Sequence, residues 1–284
     1  MSIRTIESIL TAQDAMDGAG VKIKRHSLVP YKLADPFLML DEIRSDDAQD
    51  FIAGFPPHPH RGIETLTYMR NGGIRHEDHM GNKGEVVSGG VQWMRAGRGV
   101  IHGEMPLKEH DSMHGFQLWI NLSKANKMTA PDYRDVSKEE IPHIETSQYL
   151  AHVIAGNWVL DGATYTGPLD KLEADVAYID LELNASGTFE HDIPEGHQVV
   201  VAVYDGSMAS LRKNDTHGLI NKSQIAQFSG SGVLSLTSEQ GGKALILHGK
   251  PHREPIANYG PFVMNRMEEI DQAIRDYQNG VLAE

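Results

Sequence analysis

The chain contains no cysteine. That absence excludes disulfides, thiolate metal sites and a cysteine nucleophile together, so any metal has to be held through nitrogen and oxygen. Long hydrophobic runs are missing as well. The longest, Val199 to Tyr204, falls far short of the roughly 20 apolar residues that a membrane-spanning helix needs. The opening stretch MSIRTIESILTAQDAMDG is broken by acids where a secretory signal requires a continuous apolar core, and a cytoplasmic location is the expectation. Basic residues are scarce, 26 against 39 acidic, and the net charge of −13 is spread along the chain. Counterion release cannot drive nucleic acid onto such a surface, and anionic lipid repels it. Neither nucleic acid nor a membrane is expected as a partner.

What is present suits a globular fold. Of 284 residues, 40% are hydrophobic and 23% charged, enough to build a core, and the length accommodates two domains of about 140 residues. Short alternating or β-branched runs recur: GIETLTYM, GVQWM, HGFQLWINL, AYIDLEL, QVVVAVYDGSM and KALILHG. Turns such as Asn71-Gly72-Gly73, Asn82-Lys83-Gly84 and Asp205-Gly206 separate them, so an all-β sandwich or barrel is predicted. The polar, proline-containing stretch 124–145 places a boundary near residue 136, giving domains 1–136 and 137–284. One helix is predicted near the C-terminus, where Asn265 caps it with Glu268 as reciprocal partner. Met267, Ile270, Ile274 and Tyr277 then recur at helical spacing until Asn279-Gly280.

The histidines are unevenly distributed. Seven of fifteen, His58, His60, His76, His79, His102, His110 and His114, fall between residues 58 and 114. Residues two apart on a strand share a face, so His58 and His60 form one bidentate clip, and His102 with Glu104 forms another. A lone pair of this kind is ordinarily solvated; two in one cysteine-free domain point to a metal site if the sheet closes on itself. Three imidazoles and a carboxylate suit Fe(II), and also Mn, Ni, Cu or Zn, and leave two positions of an octahedral ion open. Glu64, which shares the strand parity of His60, competes with Glu104 as the carboxylate. In the second half, His191, His197, His248 and His252 form no such clip.

The spacing H-x-H-x3-E followed by G-x2-H resembles the two cupin motifs. More closely, DPFLMLDE, HPHRGIETLTY, HEDHMGNKG, VQWMRAGRGVIHGEMP, HGFQLWINL, REPIANYGPFVMN and EEIDQAIRDYQNG resemble the pirin family, from about residue 35 to 280. The resemblance implies a bicupin of two facing β-barrels, with one mononuclear iron in the N-terminal barrel held by His58, His60, His102 and Glu104. That choice assigns Glu64 to the barrel or to the surroundings of the ligands. It also implies a pocket lined by Asp41, Phe55 and Gln117, His76 orienting a ligand, and a C-terminal barrel that has lost its metal. Outside the resemblance, His79, His110 and His114 read as surface or packing residues, and Trp93 and Trp119 as core.

Bacterial-type pirins are similar to quercetin dioxygenases. This implies an iron-dependent oxidoreductase that takes a flavonol and dioxygen, opens the central ring and releases carbon monoxide, with Glu104 as catalytic proton acceptor. A regulatory protein, whose iron oxidation state controls a protein partner, is the alternative from another class. A cupin sugar isomerase is a third and weaker one: no obvious basic cluster for a sugar phosphate stands beside the clips, and Arg61, Arg75, Arg95 and Arg98 are what keeps it in view.

Overall fold

The computed structural model describes residues 2–211 and 218–284. Strands dominate, and Met267–Gln278 is the α-helix among the described residues. No helix of the described residues is long and apolar enough to cross a membrane. The chain divides into two compact units, each assembled from three segments. One comprises Gln13–Ser27, Phe37–Lys138 and His252–Glu284; the other comprises the segment ending at Ala12, Leu28–Pro36 and Glu139–Pro251. The ends of the chain are thereby exchanged. Strand Thr5–Thr11 pairs antiparallel with Gln224–Ser229, and the C-terminal helix belongs with the first half.

In the unit built mainly from the first half, seven antiparallel strands form one sheet. Their order is Asp132–Val136, Val91–Arg95, Ile63–Asn71, Met113–Asn121, Phe37–Ser45, Val21–Ser27 and Gln13–Asp17. Opposite it lies a four-stranded sheet in the order Phe55–His60, Val100–Pro106, Gly73–Asp78 and Lys83–Val87. The two sheets make a jelly-roll sandwich that stays open at its edges instead of closing into a continuous barrel.

Side chains directly opposite on paired strands share a face. The seven-stranded sheet therefore presents whole rows inward. Ile43 stands against Gly115, which stands against Met69, and Ile43 and Met69 join Val21, Ile23 and Phe51 in a buried cluster. Two residues along the strands, the row is Arg25, Asp41, Gln117, Thr67 and Gln92. Two further on, it is Met39, Trp119, Thr65 and Met94. A polar band thus crosses the inner face between two mostly apolar ones.

The C-terminal helix buries Ile270 and Ala273 with Phe262, Met264 and Leu282, and Ile274 packs at the edge. Its start lies one residue beyond the expected position. Arg266 is the capping residue, and the Glu269 carboxylate, not Glu268, accepts from the backbone N–H groups of Asn265 and Arg266, each at 3.0 Å. Met267 and Tyr277 are exposed, so the buried stripe is narrower than the spacing suggested.

The second unit is a ten-stranded assembly around the long strand Gln198–Ser210. This strand pairs with Gln224–Ser229 and Gly242–Gly249 along its first part, and with Leu219–Asn221 and Gly232–Ser238 near its end. Gly206, at φ +61°, allows the bend between the two parts. The interior is apolar, formed by Ile6, Trp158, Ile179, Phe189, Val199, Val201, Leu234, Ile246 and their neighbours.

Two buried histidines make the fold acid-sensitive. Burial pushes His26 down to about 4 and His248 down to about 2, the latter with help from neighbouring histidines and Arg4. Unfolded histidine titrates near 6.5, so the unfolded chain takes up protons that the folded chain refuses. Stability is complete above that value and is lost as the pH falls below it. Each such group costs about 1.4 kcal/mol per pH unit below 6.5, until its folded value is reached. Urea denaturation between pH 7.5 and 4.5 should show this decline, and a His26→Leu variant should decline less steeply.

Candidate metal centre

Strand Phe55–His60, with Pro56, Pro57 and Pro59, lies at the edge of the four-stranded sheet, where missing backbone N–H groups cost little. Its antiparallel partner Val100–Pro106 places His102 opposite His58 and Val100 opposite His60, with a register shift between His102 and Glu104. On the far side of that partner, His76 stands opposite Glu104 and Asp78 opposite His102. Pairing alone therefore gathers His58, His60, His76, His102 and Glu104 on one inner surface.

His58, His60 and His102 each place a ring nitrogen within 4.8 Å of the other two, a group that can hold a metal ion. Their ring centres are 4.4–5.1 Å apart. His102 also belongs to a second such group with His76 and Glu104. The four expected ligands thus occupy one locality as two triplets that overlap at His102.

The surrounding hydrogen bonds select which nitrogen faces inward. His58 Nδ1 lies 2.9 Å from the Pro56 carbonyl, which can only accept, so Nδ1 carries the proton and Nε2 keeps its lone pair. His102 Nδ1 is 3.3 Å from His76 Nδ1, and His76 Nε2 stands 3.7 Å from the buried Asp78 carboxylate. Glu104 accepts from Thr67 Oγ1 at 3.2 Å and from Gln117 Nε2 at 2.9 Å.

Both nitrogens of His60 and Nε2 of His102 are buried without a hydrogen-bond partner. Buried polar atoms are ordinarily satisfied, and leaving one unpaired costs about 1–3 kcal/mol. Burial, reinforced by His58, pushes His60 down to about 3; burial and the surrounding histidines hold His102 well below its ordinary value. Neutral imidazoles with free lone pairs fit a divalent cation.

A cleft of about 710 Å³ opens beside these residues. Phe55, His58, His60, Gln117, Trp119 and Arg25 are among its walls. Asp41 is not. It lies next to Gln117 in the polar row and binds Arg25 through contacts of 2.6–3.2 Å, while Asp17 takes the same guanidinium at 2.5 Å. Burial raises the Asp41 carboxyl even against this cation. Glu64 is fully buried and accepts from Arg95 at 3.0 Å. The other arginines with a phosphate role in view are also engaged: Arg61 with Asp276, Arg75 with Glu85, and Arg98 with the Glu284 carbonyl.

Residues 20–120 match the family model described as Pirin, and residues 178–283 match the Pirin C-terminal cupin domain. A Pseudomonas aeruginosa protein named "Putative quercetin 2,3-dioxygenase" is 45% identical over 282 residues, covering 99% of this chain and 98% of that protein. The chain belongs to the pirin family. Human pirin is 32% identical across 98% of this chain and 93% of its own. A crystal structure of quercetin 2,3-dioxygenase from Acinetobacter baumannii superposes with a TM-score of 0.89 at 31% identity, covering 100% of this chain and 99% of that one. Both units of this pirin are accordingly cupin-type domains.

Some cleft residues went unnoticed in the sequence. Trp119 is not core: it lines the cleft, and its ring meets His60 edge-on at 5.1 Å. Its position two residues after Gln117 on one strand was the available signal. Thr67 and Arg25 are visible only from cross-strand register. Asn258, Gly260 and Pro261, some 200 residues downstream of His58, also line the cleft. Lys127 holds their hairpin in place. This buried ammonium donates to the Gly62 carbonyl at 2.9 Å, Asn121 Oδ1 at 2.7 Å and the Val263 carbonyl at 2.8 Å. Lys127→Met should cost about 3 kcal/mol by leaving these acceptors unpaired. Urea denaturation checks the loss, and amide exchange across residues 257–264 should quicken.

Proposed function

We propose that this pirin is a metal-dependent dioxygenase that opens the central ring of a flavonol, incorporating dioxygen and releasing carbon monoxide. The observation that carries the reading is the convergence of three buried or half-buried imidazoles, two of them with unpartnered nitrogens, next to a hydrogen-bonded carboxylate, with two of the imidazoles, His58 and His60, lining an aromatic-walled cleft. Its volume lies within the range of small-molecule sites. The names of the relatives from Pseudomonas and Acinetobacter support the same chemistry.

His58, His60, His102 and Glu104 are the residues that would hold the metal, with iron(II) the first choice and Mn, Ni, Cu or Zn compatible with the same donors. When bound, such a cation supplies Lewis acidity toward the substrate hydroxyl and access to dioxygen. The protein supplies the rest. Glu104 takes the proton of the flavonol 3-hydroxyl at one of its carboxylate oxygens. Thr67 and Gln117 hold that carboxylate in place, and Gln117 Oε1 in turn accepts from Trp119 Nε1 at 3.4 Å. Phe55 and Trp119 offer apolar faces to a planar substrate and keep water from its reacting carbons. Arg25, gripped by Asp17 and Asp41, is a fixed part of the wall with its charge compensated by those carboxylates.

Iron-loaded protein incubated with quercetin in air should bleach the flavonol absorbance and evolve carbon monoxide. Chelation should abolish both, and metal should restore them. His58→Ala and Glu104→Ala should each lose activity by about 100-fold or more. Full turnover in either variant, or bleaching without carbon monoxide, would refute the proposal. Gln117→Ala should lower metal affinity or turnover about 10- to 100-fold through loss of the carboxylate's support, measured by metal titration alongside the aerobic assay.

A further inference from the structure

The C-terminal cupin unit places polar side chains where its apolar rows end. On strand Gly242–Gly249, Ala244 and Ile246 face the core, and His248 follows them on the same side. On Gly187–Ile193, His191 stands between the core residues Phe189 and Ile193. Val203, Val201 and Val199 form a third inward row, and His197 precedes it by two residues. Ile6 faces inward from the first strand, and Arg4 lies two residues before it. Three rows therefore end in Arg4, His197 and His248, and a fourth carries His191 between two core residues.

Their hydrogen bonding is incomplete. Arg4 is 2% exposed; its Nε donates to the Gly232 carbonyl at 3.3 Å, but Nη2 has no partner. His248 is also 2% exposed, and its Nε2 has none. His197 Nδ1 lies 3.0 Å from His248 Nδ1. With His197 as donor, His248 carries its proton on Nε2, a second buried donor. Trp158 walls the group, 4.5 Å from the His191 ring and 4.9 Å from that of His248, with its own N–H committed to the Ala155 carbonyl at 3.0 Å. Asp192 is exposed and acts on Arg4 through space without an ion pair. Cross-strand register puts Ile6, Phe228, Val199 and His248 in one row, so Arg4 lies two residues from the row that holds His248, and its charge helps to depress His248 and His197.

We propose that Arg4 and His248, backed by His197 and Trp158, form a binding site for a small monocarboxylate in the C-terminal cupin domain. An arginine deprived of water and of a full counter-charge calls for an anion, and its N–H groups match the two oxygens of a carboxylate. The neighbouring imidazoles are neutral, so a single cation is on offer. A monoanion is compensated there, whereas a dianion would remain undercompensated. The histidine rings are no substitute for the metal group of the other unit, since no ligand set of three among them meets the spacing found at His58, His60 and His102. The site owes nothing to the proposed oxygenase chemistry.

Chelator-treated full-length protein, labelled with 15N at histidine, is titrated with acetate against chloride at constant ionic strength. The His248 ring resonances, identified with a His248→Gln variant, should shift saturably with acetate only, and the melting temperature should rise with acetate concentration. Arg4→Met should weaken acetate binding at least tenfold. If that variant does not fold, the resonances of the unsubstituted protein decide. Absence of an acetate-specific shift at His248, an equal shift with chloride, or undiminished binding in folded Arg4→Met overturns the proposal; the first of these means that water alone satisfies the two donors.

Discussion

Burying an imidazole without a hydrogen-bond partner is the constraint on which the candidate centre depends. Each such ring nitrogen forfeits water and gains little from the protein, the Pro261 backbone near His60 being outweighed by burial, so the cost is concentrated at His60 and His102. The same burial keeps these rings neutral. A site unfavourable in the metal-free protein is thus the one that holds lone pairs ready for a cation. Metal affinity and the cost of the apo fold are two sides of one interaction.

The seven-stranded sheet makes that cost tolerable by confining polarity to one row. Arg25, Asp41, Gln117, Thr67 and Gln92 lie side by side across five strands, flanked by rows of mostly apolar residues. Within the band most charges and amides are engaged. Arg25 is shared by Asp41 and Asp17, Gln117 and Thr67 support Glu104, and Gln92 donates to Tyr133 and Asp135. A satisfied polar network of this kind holds its members rigidly. Rigidity is what the role proposed for Glu104 requires.

The C-terminal unit uses the same architecture differently. Its inward rows are apolar over most of their length, and polar residues appear at their ends. Both units nevertheless place ligand-capable side chains on inward-facing positions of their strands. In one the residues are neutral histidines beside a carboxylate; in the other they are an arginine beside neutral histidines. The charge left over decides which sign of ligand each invites.

Much of this was legible in the sequence because strand periodicity is exact. His58 with His60, and His102 with Glu104, share faces by spacing alone, and the absence of cysteine restricted the donors to nitrogen and oxygen. The resemblance of the motif blocks supplied the family and the two-cupin plan, which the comparisons bear out. Trp119 was within reach of the same parity rule and was still taken for core. Cross-strand register is another matter. Whether Thr67, Gln117, Asp41 and Arg25 align depends on which strands pair and at what offset, and partners up to 76 residues apart leave no local trace of that choice. The exchange of the chain ends, the hairpin pinned by Lys127 and the placing of Arg4 two residues from the row of His248 belong to the same class, since long-range burial selects them. Residue types and their alternation were determined by the sequence alone. Tertiary structure decided which of those faces would meet, because that choice rests on the summed packing of distant strands.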